Sequence, residues 1–259
     1  MDLPKIKFRA MTFIENMDMI AMFIGQEILK SEKPNTDFFK NYYQELLDID
    51  FNKNMTEEQI SKLLQSILLD SWNEDMKNSD QKIKNIQKDW DLINDSVMSD
   101  LSKRLDIVWP KDTIDILARV GIMFFCPRYI SHRTFDTNIN ANTNGMREVA
   151  IHEICHFLYF EKWKELYNDY DERNYNRPSI AWYLSEAMID PLLNNEIFTK
   201  YTKQPINSNR DMCEIEVNGV SIVDTLKEIV DNNPIEEAIK KGYDYFKDNE
   251  YTIKNTDSI

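Results

Sequence analysis

The chain has 259 residues, 42% of them hydrophobic and 29% charged, with a mean hydropathy of -0.55, a formal net charge of -14 and a pI of about 4.7. This composition describes a soluble globular protein with a sizeable core and excludes a disordered chain or a membrane protein. An acidic surface repels phosphate backbones and anionic lipid, so neither nucleic acid nor membrane is an expected partner.

In chain order, residues 8 to 30 carry Phe8, Met11, Ile14, Met17, Ile20, Ile24 and Ile28 at helical spacing. Glu15 and Asp18 interrupt the apolar character and no small-residue cleavage site follows, which predicts a buried helix and not a signal peptide or anchor. Thr56 and Gln59 form a capping box ahead of Ile60, Leu63, Leu64 and Ile67. A charged helix is predicted over about 80 to 104, with Ile83, Ile86, Trp90, Ile93 and Val97 facing inward. The character changes near 105. LDIVWP and GIMFFCPRYI are short apolar runs bounded by Pro and Gly and predict strands, with a short helix over DTIDILARV between them. HRTFDTNIN alternates in polarity as an edge or half-exposed strand would.

Helices are predicted over about 145 to 166 and 179 to 195, joined by the polar segment LYNDYDERNYNRPS, which reads as a solvated connector. EIEVNGVSIV suits an Asn-Gly hairpin or a helix capped by Ser221. Asn233 and Pro234 before Glu236 and Glu237 mark a helix start. The expected fold class is α+β and predominantly helical. A helical N-terminal region (1–104) and a mainly helical C-terminal region (201–259) flank a core (105–200) with a small mixed sheet. Cys126, Cys155 and Cys213 are odd in number and far apart, which implies no disulfide framework and a reducing, cytoplasmic compartment.

Two of the three histidines stand in His152-Glu153-Ile154-Cys155-His156, within a stretch that reads as helix. Positions i and i+4 lie about 6 Å apart along a helix axis and roughly 40° apart around it, so two imidazoles can converge on one ion. Glu153, about 100° further round, can reach a water instead of the metal. Without a partner, two buried histidines beside an ionisable glutamate would be costly. A tetrahedral site needs a third ligand, and no histidine follows His156. WYLSEAMIDPLL supplies carboxylates at Glu186 and, one turn on, Asp190. Glu186 could bind the metal while Asp190 accepts the free N–H of a ligand imidazole.

H-E-x-x-H, twenty-nine residues and then E-x-x-x-D resembles the gluzincin metallopeptidases, both thermolysin-like and aminopeptidase-like. Trp182-Tyr183-Leu184-Ser185-Glu186-Ala187 resembles the W-x-N-E-G/A neighbourhood of the third ligand, with Ser185 where Asn is common. The resemblance spans about 130 to 195. It implies a zincin-like core with an active-site helix, and one zinc held by His152, His156 and Glu186. It also implies Glu153 as general base, Asp190 beside a ligand histidine, and a peptide or protein substrate. With no downstream histidine, a tyrosine would have to stabilise the oxyanion, from among Tyr159, Tyr167, Tyr170, Tyr175, Tyr183 and Tyr201. Pro191 should kink or end the second helix. An edge strand over HRTFDTNIN would suit pairing with an extended peptide. The reading is an intracellular zinc peptidase. Its alternatives are a non-catalytic or regulatory zincin-fold protein that binds a protein partner, and a hydrolase of a non-peptide amide. His132 reads as a surface or capping residue, and Cys155 as core packing.

Overall fold

A computed structural model describes residues 3–30, 36–113 and 115–255. The chain opens with β1 (Lys5–Ala10) and α1 (Phe13–Lys30), then runs through α2 (Asp37–Tyr42), α3 (Glu57–Ile67), α4 (Leu69–Asp75), α5 (Ser79–Asp91) and α6 (Asn94–Arg104). Next come β2 (Asp115–Gly121), β3 (Arg128–Tyr129), β4 (Thr134–Asn138) and the long α7 (Thr143–Tyr167). The chain continues with α8 (Ile180–Ala187), α9 (Ile189–Leu193), α10 (Glu196–Thr202) and α11 (Arg210–Cys213). It closes with the hairpin β5 (Glu216–Val217) and β6 (Val220–Ser221), followed by α12 (Ile222–Asn232), α13 (Ile235–Asp248) and α14 (Glu250–Asn255). The protein is thus predominantly helical with a small mixed sheet, as its composition and patterning imply. Among the described residues no helix is long and apolar enough to cross a membrane.

The sheet has the order β1-β2-β4-β3, with the first three strands parallel and β3 antiparallel to β4. β1 belongs to the N-terminal region yet pairs with β2 from Lys5↔Asp115 to Ala10↔Val120. Helix was expected to run on from residue 8, but Lys5-Ile6-Lys7-Phe8 alternates with period two and buries Ile6 and Phe8. The free edge of β1 is closed by two amide side chains. Gln87 accepts from the Phe8 N–H (2.9 Å) and donates to the Ile6 carbonyl (2.9 Å). Asn94 accepts from the Ile6 N–H (3.2 Å) and donates to the Pro4 carbonyl (3.0 Å). The predicted helix over 80 to 104 therefore forms as two, α5 and α6, each supplying one clasp.

Around 105 to 130 the sequence expectations change most. DTIDILARV is not a helix: Ile116, Ala118 and Val120 alternate inward along β2, the middle of the sheet, and Ile114 lies outside the described residues. LDIVWP forms no strand, and its Trp109 donates to the Met98 carbonyl (3.0 Å). GIMFFCPRYI is mostly loop. Its apolar residues are covered by aromatic side chains (Phe124 and Phe125 against Phe38, Phe39, Tyr42 and Phe23), and beyond Gly121, which ends β2, Arg128 and Tyr129 join the sheet. Gly121, at the end of β2, is required by the approach of α1. A Cβ there would collide with Asn16 Oδ1, the atom that accepts from the Ile122 N–H.

β4 is not an edge strand over most of its length. β2 pairs with one side, β3 covers Thr134 and Phe135 on the other, and Asp136 donates its N–H to the Pro127 carbonyl (2.8 Å). Its polar residues are buried because they are paired: Arg119 on β2 forks onto Asp136 through Nε (2.6 Å) and Nη2 (2.9 Å). The expectation that this strand would lend an open edge to a peptide is therefore corrected. Further on, both readings of EIEVNGVSIV hold together, since β5 and β6 form the hairpin and Ser221 accepts from the Val223 N–H to cap α12.

Candidate metal centre

α7 carries the H-E-x-x-H residues. Asn142 caps its start by accepting from the Gly145 N–H (2.9 Å), and Asn168 ends it in a left-handed conformation (φ 50°). The helix is buried on nearly all sides from Ala150 to Trp163. One turn of it sets the two imidazole ring centres of His152 and His156 5.0 Å apart.

α8 brings the carboxylate. Ser179 caps it by accepting from the Ala181 N–H (3.1 Å). Glu186 then reaches back so that Oε2 lies 3.7 Å from His152 Nε2 and Oε1 lies 3.7 Å from His156 Nε2. The chain breaks at Met188, before α9, and the cause is Pro191. Proline has no N–H for the Ala187 carbonyl four residues back. Ser208 repairs the gap: its Oγ donates to the Ala187 carbonyl (2.8 Å) and accepts from the Asp190 N–H (2.9 Å).

That break overturns the role expected of Asp190. With the helix interrupted, the Asp190 carboxylate accepts from Asn194 Nδ2 (3.3 Å), and it hydrogen-bonds neither ligand imidazole. His132 is exposed in the turn before β4, its carbonyl accepting from Thr134 Oγ1, and nothing brings it to the cluster. Cys155 is buried in the core, where burial pushes its thiol up to about 12. Cys213 is exposed on the surface.

Arg128 is the residue that sequence reasoning missed. It extends from β3 into the cluster, where Nη1 lies 2.6 Å from Glu186 Oε1 and 3.8 Å from Glu153 Oε2. A motif search for ligands gives no weight to a cation so far upstream. Only the Pro127-Arg128 step after an apolar run marked the place.

The electrostatics follow from burial. Desolvation alone would raise Glu186, yet the Arg128 guanidinium and the two imidazoles outweigh it and hold the carboxyl well below the usual range. Glu153 is raised to about 7, because burial dominates and neither His152 nor Arg128 offsets it. His156 is pushed well below its usual value by burial and then by Arg128, so it is neutral. For His152 burial lowers the value, but the bond to Glu186 prevails and raises it.

A metal ion fits these residues. Neutral His156 has neither Nδ1 nor Nε2 in a hydrogen bond, although both are buried, and buried polar atoms without partners are uncommon. One ligand atom from each of His152, His156 and Glu186 lies within 4.8 Å of the others. Donors at about 2.0–2.1 Å from a tetrahedral ion stand about 3.4 Å apart, so small side-chain shifts would suffice. Among the described residues this is the group able to hold such an ion. Only His152 opens outward, with its side chain 18% exposed against 4% for Glu186 and 0% for His156. A cavity of about 410 Å³ lies elsewhere, between Phe8, Trp90, Asn142 and Arg147. No family model matches the chain, and no curated protein or solved structure matches it either.

Proposed function

We propose that the chain is a zinc-dependent hydrolase that cleaves peptides, with His152, His156 and Glu186 as metal ligands and Glu153 as general base. The observation that carries the reading is His156: a neutral, fully buried imidazole with two bare nitrogens, facing a carboxylate and a second imidazole. Two imidazoles and one carboxylate suit zinc among common divalent ions and leave a fourth position open. When bound, zinc acidifies a water and polarises an acyl oxygen.

The chain's own groups do the rest. Glu153 is buried, and its Oε2 has no hydrogen-bond partner, so this oxygen is free to take a proton from the attacking water and pass it to the leaving nitrogen. Burial raises this carboxyl, which helps it to hold the proton between the two transfers. α7 fixes Glu153 one residue after His152, so the base and the two histidines move as one body. The three cysteines are unpaired, in keeping with a reducing, cytoplasmic setting.

Metal analysis of the purified protein beside His156→Ala tests the reading. The wild type should carry one zinc per chain and the variant almost none. Chelator-sensitive peptide cleavage should disappear in Glu153→Gln with zinc retained. A non-catalytic zinc protein is the second reading, and the near-closure of the site favours it. It prevails if the zinc-loaded wild type cleaves no peptide in a diverse mixture.

A further inference from the structure

We propose that Arg128 is the catalytic residue that holds the acyl oxygen of the scissile bond, a role that rests on the hydrolase reading above. Acyl transfer develops negative charge on that oxygen, and a fixed donor aimed at it is among the largest contributions a site can make. The six tyrosines considered for the task have other surroundings. Tyr201 donates to Asp100 (2.7 Å) and Tyr175 to the Asp169 carbonyl (2.7 Å). Tyr167 packs between Trp163 and Tyr243, and Tyr170 is exposed. Tyr159 has a buried hydroxyl without a partner, but its ionisable neighbours are Tyr167 and Cys155 and not the two carboxylates, and Tyr183 is buried against Trp182.

Arg128 differs from all six. Its side chain is nine-tenths buried, and its Nη1 lies between the base and the third ligand, 3.8 Å from Glu153 Oε2 and 2.6 Å from Glu186 Oε1. Glu153 must face the attacking water, so a donor beside both carboxylates stands where water and acyl group meet. The guanidinium also has donors to spare. Its Nε–H is buried with no partner, and Nη2 reaches Ser185 Oγ only at 3.5 Å. Arginine carries five N–H donors in a rigid fork and keeps its charge when buried. Its backbone is fixed as well, because β3 pairs with β4 at Arg128↔Phe135. A donor held in place before the substrate arrives needs no reorganisation during the reaction.

The step balances with these groups alone. Water oxygen bonds to the acyl carbon while the carbonyl π pair moves onto the acyl oxygen, where an Arg128 N–H receives it. That pair returns as the carbon–nitrogen bond breaks, and the proton taken by Glu153 passes to the leaving nitrogen. The second water proton follows through Glu153 to the same nitrogen, so the products are a carboxylate and an ammonium.

The test needs no knowledge of the substrate. Cobalt(II)-loaded protein is titrated with acetohydroxamate, an oxyanion probe, and followed by its visible spectrum. Wild type should bind the probe, and Arg128→Met should bind it about tenfold or more weakly while still holding one cobalt per chain. Arg128→Lys keeps the charge without the fork and should fall between, and it decides by the same criterion if Arg128→Met does not fold. On any peptide cleaved by the zinc form, Arg128→Met should lower kcat by about 10²–10³ and leave KM within a few-fold. Equal probe affinity in wild type and variant, with cobalt retained, overturns the role of Arg128 and leaves the hydrolase reading standing. A wild type that takes up no cobalt removes that reading and this proposal together.

Discussion

His156 and Gly121 have opposite problems, one too few partners and the other no room. Zinc at about a hundred times its dissociation constant should stabilise the wild type by ~2.7 kcal/mol, since it binds only the folded chain. His156→Ala should lose that shift, and thermal unfolding with and without chelator measures it. A variant that gains as much as the wild type would place the ion elsewhere. Gly121→Ala forces a methyl group onto Asn16, whose side chain is anchored by the Ile122 N–H. It should cost about 1–3 kcal/mol in urea unfolding, whatever the metal content. These two residues also differ in what a reader of the sequence can see. His152, Glu153 and His156 are legible because one helix sets their spacing, and Glu186 because few carboxylates lie on the next one. Gly121 and Arg128 are not, because their neighbours, Asn16 and Glu186, come from distant parts of the chain.

Pro191 and Ser208 together decide how α8 ends and how Glu186 is presented. Ser208→Ala would leave the Ala187 carbonyl and the Asp190 N–H without their partner. The expected loss is about 1–3 kcal/mol of stability, together with weaker metal binding as α8 loosens. Unfolding and a chelator competition on the same preparation check both, and unchanged metal affinity would show that the repair serves stability alone. Sequence reading placed the interruption near Pro191 correctly but carried Asp190 along an unbroken helix to the same face as Glu186. Ser208, which bridges the broken turn, lies too far along the chain to signal this. The strands show the same limit. Alternation in HRTFDTNIN was read as one face in water, whereas Arg119, paired with Asp136, lets the polar residues stay inside. Capping signals fare better, since Thr56 and Ser221 act within a few residues of themselves.

Across the molecule, acid stability should depend in part on the join between β1 and α1. Arg9 forks onto Glu15 (2.7 and 2.9 Å), and chiefly that bond lowers the carboxyl from its usual 4.5 to about 2. The folded value lies below the unfolded one. The stabilisation is therefore complete above the unfolded value and is lost as pH falls through the range down to about 2. The pair is roughly a third exposed, so solvent screening limits it to below about 1 kcal/mol. Urea unfolding of Glu15→Gln beside wild type should show a gap near neutrality that narrows with acid, and a gap independent of pH would mean that charge plays no part. The clasping of β1 by Gln87 and Asn94 also bears on how the chain is made. β1 leaves the ribosome on the order of a hundred residues before its partner β2, a wait of about 5–20 seconds at about 5–20 residues per second. α5 and α6 emerge during that wait. Their two amides can shield the nascent strand from other unfinished chains until its permanent neighbour is synthesised.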